Sequence, residues 1–207
     1  MSKTITVKGV GTASVKPDYI TIRLEIVSRD RDYSKSVNNA NKRIVTLQNA
    51  LGKVGYAKED LKTLSFRVST SYEKKLAIYH CRYSLKLSFD LDTKRLAETI
   101  NAIANSDADA QFMIMFTVKN PEKVNEQILK SAAENARQKA EILCAAAGVN
   151  LGDLVSINYD WGEVSVVSAS TYSMNRDMVR CASTSAPEFE PDDIKSEDSA
   201  TFVWEVK

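Results

Sequence analysis

This chain has almost none of the residues that announce chemistry. Among its 207 residues there is one histidine, His80, and three widely spaced cysteines, Cys81, Cys144 and Cys181. A single histidine excludes a histidine-rich metal centre and makes any Ser-His-Asp triad depend on that residue alone. An odd, scattered cysteine set is neither a disulfide framework nor a zinc pattern, and free thiols in a reducing compartment fit it best. Four prolines and seven glycines leave few sites for floppy linkers. No apolar run approaches the ~20 residues that span a bilayer, so no membrane span is expected. The opening residues MSKTITVKGVG lack the apolar stretch of a secretory leader. A cytoplasmic location is therefore the expectation, with a periplasmic or secreted one as the alternative if a leader has been removed.

What is present is globular: 43% apolar and 27% charged residues. The net charge of +1 is uneven, because residues 186–207 hold seven acids against Lys195 and Lys207, leaving about +6 for the remainder. That excess is scattered singly and does not cluster with aromatics, so no nucleic-acid partner is expected.

Period-two and period-3.6 patterns alternate along the chain. Residues 4–10 read as a strand leading into a long one in which Ile20, Ile22, Leu24 and Ile26 share a face, and Pro17 marks a bulge or the start of an edge. From Tyr33 to Val54, Val37, Ala40, Ile44, Leu47, Leu51 and Val54 form a helical stripe that Gly55 stops. Strands are expected at 64–72 and 82–91, joined by an irregular hairpin or exposed loop, EKKLAIYHC. A short helix follows with Leu96, Ile100 and Ile103 inward. The strand QFMIMFTV at 111–118 is so apolar that burial on both faces is expected. Asn120 and Pro121 open a long helix that runs to Ala147 and Gly148, its face made of Val124, Ile128, Ala132, Ala136, Ala140, Leu143 and Ala147. Strands at 154–160 and 201–206 flank a long polar and acidic stretch that is either mobile or has a task.

The fold class is α+β, in the order β-β-α-β-β-α-β-α-β-β. Two small subdomains are expected: residues 1–80, completed by 200–207, and residues 81–160 with a ferredoxin-like βαβαβ unit, followed by a loop over 161–199.

Four stretches carry a resemblance: ITVKGVGTASVKPDYITIRLEI, NNANKRIVTLQNAL, GYAKEDLKTLSFRVSTSY and AAENARQKAEILCAAAGVNLGDLVSIN. Together they resemble the SIMPL-domain family of YggE-like proteins, from Ile5 to Val206. The resemblance implies an α+β fold, assembly into oligomers, including ring-like or channel-like ones, and a loose link to envelope or oxidative stress. It implies no established reaction.

The residues yield no catalytic, cofactor or metal assignment. His80 and Cys81 are adjacent, and adjacent strand residues point to opposite faces, so they form no dyad. His80 is read as a surface residue of a hairpin. Gly9-Val10-Gly11 lacks the following helix of a phosphate loop and is read as a tight turn or bulge. Glu59 and Asp60 cap an element, and Asp192 and Asp193 belong to a solvated loop without EF-hand spacing. Cys144 is a buried small hydrophobe, while Cys181, near Arg176 and Arg180, is the thiol placed to meet an oxidant. The functional expectation is a non-enzymatic, self-assembling protein, a homo-oligomer formed through exposed sheet edges, the Val37–Val54 helix face or the 161–199 segment. The alternatives are a ligand-binding module or enzyme with a site between the subdomains, and an adaptor that binds a protein partner through 161–199.

Overall fold

The computed structural model describes residues 3–160, 164–174 and 189–207. It holds eight strands and three helices among those residues: β1 (Thr4–Val15), β2 (Tyr19–Asp30), α1 (Tyr33–Gly52), β3 (Lys62–Glu73), β4 (Leu76–Asp90), α2 (Thr93–Ala104), β5 (Gln111–Thr117), α3 (Pro121–Ala146), β6 (Leu151–Asn158), β7 (Val167–Met174) and β8 (Ile194–Val206). The α+β class stands. Two antiparallel sheets form, ordered β1-β8-β6 and β3-β4-β2-β5-β7.

The chain divides into two compact units, and not at residue 80. One comprises Met1–Pro17, Val118–Ala169 and Asp192–Lys207; the other comprises Asp18–Thr117 and Ser170–Pro191. A boundary at 80 would cut β4, which pairs with β3 from Glu73↔Leu76 onward. Of the irregular hairpin or exposed loop expected between these strands, the structure has a hairpin, and it is a regular one closed by a two-residue turn. Lys74 and Lys75 both have positive φ, 47° and 68°, the sign that matches the twist of a tight hairpin.

In the second unit, β2, α1, β3, β4, α2 and β5 follow one another as β-α-β-β-α-β, the ferredoxin-like split βαβ order, with β7 added at the edge. The ferredoxin-like element therefore exists, but it begins at β2 rather than at residue 82, and β6 belongs to the other sheet. Asp32 and Asp92 cap the two helices, their carboxylates accepting from Lys35 N at 2.9 Å and Arg95 N at 3.0 Å. Ile20, Ile22 and Leu24 of β2 lie opposite Phe89, Leu87 and Leu85 of β4, and opposite Phe116, Ile114 and Phe112 of β5. All of these are buried together with Leu47, Leu51, Leu96, Ile100 and Ile103. β5 is buried on one face only, since Met113 is 40% exposed. Methionine gave the strand its continuous apolarity without giving it a second core. Tyr56 lies over Phe89 and donates to Thr99 Oγ1 at 2.8 Å, and Arg95 Nε donates to the Tyr56 hydroxyl at 3.2 Å.

In the first unit, α3 lies across β1 and β8. Asn120 caps it, accepting from Lys123 N at 3.3 Å. Its buried residues recur every fourth position: Val124, Ile128, Ala132, Ala136, Ala140 and Cys144. Leu143 is 53% exposed, because a strict i+4 stripe drifts around the helix and brings Cys144, not Leu143 or Ala147, beneath it. Gly9 and Gly11 form neither a turn nor a bulge. β1 pairs with β8 without a shift from Thr4↔Glu205 to Val15↔Ile194. A Cβ at Gly9 would stand 2.1 Å from Ala132 O, and one at Gly11 would stand 1.8 Å from Ile128 O. The glycines let the helix backbone rest on the strand, and the small face of α3 is the other half of that fit. Pro17 lies between β1 and β2, where the chain leaves one sheet for the other. Within the stretch expected as a loop over 161–199, the described residues form β7 and the first residues of β8, and 161–163 and 175–188 lie outside the described residues.

Candidate interaction surface

Among the described residues no three histidine, cysteine, aspartate or glutamate side chains gather as metal ligands. His80 lies in the β3-β4 hairpin, as expected, half-buried on β4, and its Nε2 lies 2.8 Å from Ser71 Oγ. Cys81, its neighbour, points to the opposite, buried face, and desolvation pushes its thiol pKa up, away from the reactive thiolate. Cys144 is buried under α3, as a small hydrophobe. Asp60 accepts from Ala57 N at 2.8 Å and so caps the short 3-10 turn Lys58–Asp60. Cys181, Arg176 and Arg180 lie outside the described residues. Asp192 uses its backbone carbonyl, which accepts from Ser168 Oγ at 2.8 Å.

Within the second unit, an open groove of about 590 Å³ runs between α1 and the end of α2, bordered by Asn49, Lys53, Glu98, Asn101 and Asn105. It contains no histidine, cysteine or aromatic side chain. Its volume falls in the range of small-molecule sites, and its walls mix polar side chains with Ala50, Val54 and Ala102.

The sheet edges differ sharply in how they are finished. β1 is flanked by α3: Val10 N donates to Asn135 Oδ1 at 3.1 Å, and Lys139 Nζ donates to Lys8 O at 3.3 Å. Such side-chain contacts occupy backbone groups that another chain would need. Among the described residues nothing covers β3 in this way. Its 12 residues pair with β4 on one side only, and ten of them are exposed, including Leu64 at 48%, Phe66 at 48% and Tyr72 at 76%. Register explains this. Phe66, Val68 and Thr70 lie opposite Tyr83, Cys81 and Tyr79, on the face that α1 covers over β2 and β4, and the helix layer stops short of β3. Phe66 rests on Tyr83 with ring centroids 4.8 Å apart. β6 is a second edge that the described residues leave uncovered, with Leu154, Val155 and Ile157 at 49%, 54% and 55% exposure.

Alternation in 64–72 shows the strand from sequence, but its place at the rim follows only from the sheet order. No helix of the described residues is long and apolar enough to cross a membrane.

The chain is 25% identical over 169 residues to the 26 kDa periplasmic immunogenic protein of Brucella melitensis, covering 74% of this chain and 65% of that protein's length. The corresponding protein of Brucella abortus, strain S19, matches to the same extent. The chain thus spans somewhat less than two thirds of these relatives. A de novo designed protein, Foldit4, aligns over 47% of this chain at 15% identity, with a TM-score of 0.21, and carries no argument. The model of the SIMPL family, described as a protein of unknown function (DUF541), matches residues 5–204, and the chain belongs to that family.

Proposed function

We propose that this protein acts by assembling with copies of itself, without a reaction of its own, and that β3 is the joining edge. The bare state of β3 carries the reading. A long, one-sided strand with exposed Phe66 and Tyr72 invites pairing, and natural sheets suppress such edges unless they are used. A second copy is a fitting occupant because the strand is self-complementary. A two-fold axis normal to the sheet at Val68 sets Phe66 opposite Thr70 of the other copy, Arg67 opposite Ser69 and Ser65 opposite Ser71. Within the strand no like charges face each other in that register, and Lys62 meets a like charge on Lys74 of the turn. The second bare edge, β6, would extend the contact beyond a dimer.

The relatives' names place them in the periplasm, which supports the periplasmic alternative over the cytoplasmic one for this chain. Light scattering after size exclusion tests assembly, on wild type and on Val68→Lys, which sets two ammonium groups opposite each other at the axis. A defined oligomer that Val68→Lys reduces supports the proposal. A wild-type monomer at high concentration, or an oligomer that Val68→Lys leaves intact, refutes it.

A further inference from the structure

The face of the five-stranded sheet opposite α1 and α2 carries charge in an arrangement that a sheet ordinarily avoids. Lys62 of β3 lies directly opposite Lys86 of β4, and Lys86 lies directly opposite Arg23 of β2. Three cations thus stand in one cross-strand row, with neighbours about 4.8 Å apart in backbone spacing. Lys62 and Arg23 are exposed and Lys86 is half-buried. Four residues along β4, Arg82 lies opposite Arg67 of β3. Like charges directly opposite one another destabilise a sheet. The carboxylates on this face do little to relieve the row: Glu25 pairs with Arg82 and Glu73 pairs with Arg29. Among the described residues no ion pair joins Lys62, Lys86, Arg23 or Arg67.

We infer that this face binds an anionic lipid surface, the row of cations meeting phosphate headgroups. Neutralising an external anion layer converts the repulsion within the row into binding. The shape of the face selects the partner. It is a sheet face, with no helix to enter a duplex groove. The cation rows carry no aromatic side chain on which bases of a single strand could stack. What flanks them is aliphatic: Met113 lies opposite Arg23 and Val27 lies opposite Arg82. Exposed Met113 beside long cationic stems suits the boundary of headgroups and acyl chains. Binding here does not depend on self-association, although pairing through β3 would place two such faces side by side.

The test is co-sedimentation of the full chain with vesicles of phosphatidylcholine alone and of equal phosphatidylcholine and phosphatidylglycerol, at low and high salt. The row variant is Arg23→Gln, Lys62→Gln and Lys86→Gln; the control, with the same loss of charge, is Lys42→Gln, Lys94→Gln and Lys123→Gln. Wild type is expected to sediment with the anionic vesicles only, and less at high salt. Each charge near the surface is worth about fivefold, so the row variant should bind roughly a hundredfold more weakly, and the control much less so. The row variant should also melt at or above the wild-type temperature, since the repulsion is gone. The inference fails if anionic vesicles bind no protein, if row and control variants lose binding equally, or if the row variant melts lower. It also fails if a single-stranded oligonucleotide binds more tightly than the vesicles with the same dependence on the row.

Discussion

Gly11→Ala puts the close approach of α3 to β1 to a quantitative test. The added Cβ would lie 1.8 Å from Ile128 O and 2.7 Å from Ala132 N. Carbon and oxygen settle at about 3.3 Å, so helix and strand must separate by roughly 1.5 Å. Both obstacles are helix backbone, and no flexible side chain can swing aside. A gap of that size strips much of the dispersion contact from Ile128, Ala132 and Ala136, all of which are 0% exposed. Overpacking typically costs ~1–3 kcal/mol, and a backbone clash belongs at the upper end. The loss of unfolded-state freedom on replacing glycine returns only ~0.4–1 kcal/mol, so the net destabilisation is about 2–3 kcal/mol. In urea, with a slope of ~1–3 kcal/mol per molar, the unfolding midpoint by circular dichroism should fall by roughly 1–2 M. A Gly11→Ala protein as stable as wild type would refute the packing argument.

Gly52, at the end of α1, is the counterpart: a Cβ there meets nothing within 4 Å, so Gly52→Ala should stabilise by ~0.5–1 kcal/mol, read as a higher urea midpoint. Lys74→Asn with Lys75→Gly should stabilise the β3-β4 hairpin by ~1–2 kcal/mol, because both positions have positive φ and lysine resists it; an unchanged or lower melting temperature would count against the turn. Burial raises the Cys81 thiol pKa above its ordinary 9.0. The unfolded chain therefore loses that proton first, and the thiol's contribution is complete below pH 9 and declines as pH rises past it. Its share of the slope is at most ~1.4 kcal/mol per pH unit. Urea titrations at pH 8 and pH 10 should show this decline in wild type and a smaller one in Cys81→Ala.

The elements that local pattern controls were legible in the sequence. The alternation of Ile20, Ile22, Leu24 and Ile26, the Ala40, Leu47 and Leu51 stripe on α1 and the Asn120-Pro121 start of α3 match the structure, because each depends on residues a few positions apart, whereas α1 ends at Gly52, ahead of the expected Val54 and Gly55. What depended on distant partners did not. Gly9 and Gly11 look like a turn until α3, more than a hundred residues later, is laid against them. Met113 looks buried until the sheet order gives β5 a solvent face. The ferredoxin-like order begins at β2, earlier than local pattern suggests, because the tight β3-β4 turn at Lys74-Lys75 lacks the glycine or asparagine that marks such a hairpin. Burial shows β3 as a bare edge, whereas sequence alone shows only a strand. The row Lys62, Lys86 and Arg23 is invisible without register, since the three residues stand far apart in the chain.

Disulfide trapping at the proposed axis tests self-association through β3 most directly. Val68→Cys, made in a Cys181→Ser background, sets two thiols opposite each other in adjacent antiparallel strands, within the ~4.4–6.8 Å Cα separation that a disulfide bridges. Cys81 and Cys144 are buried and do not compete. Mild oxidation should give a covalent dimer for Val68→Cys and little for Tyr72→Cys, whose equivalent residues would lie far apart across the axis. No dimer at Val68, or equal dimer at both positions, would contradict assembly through this edge in this register.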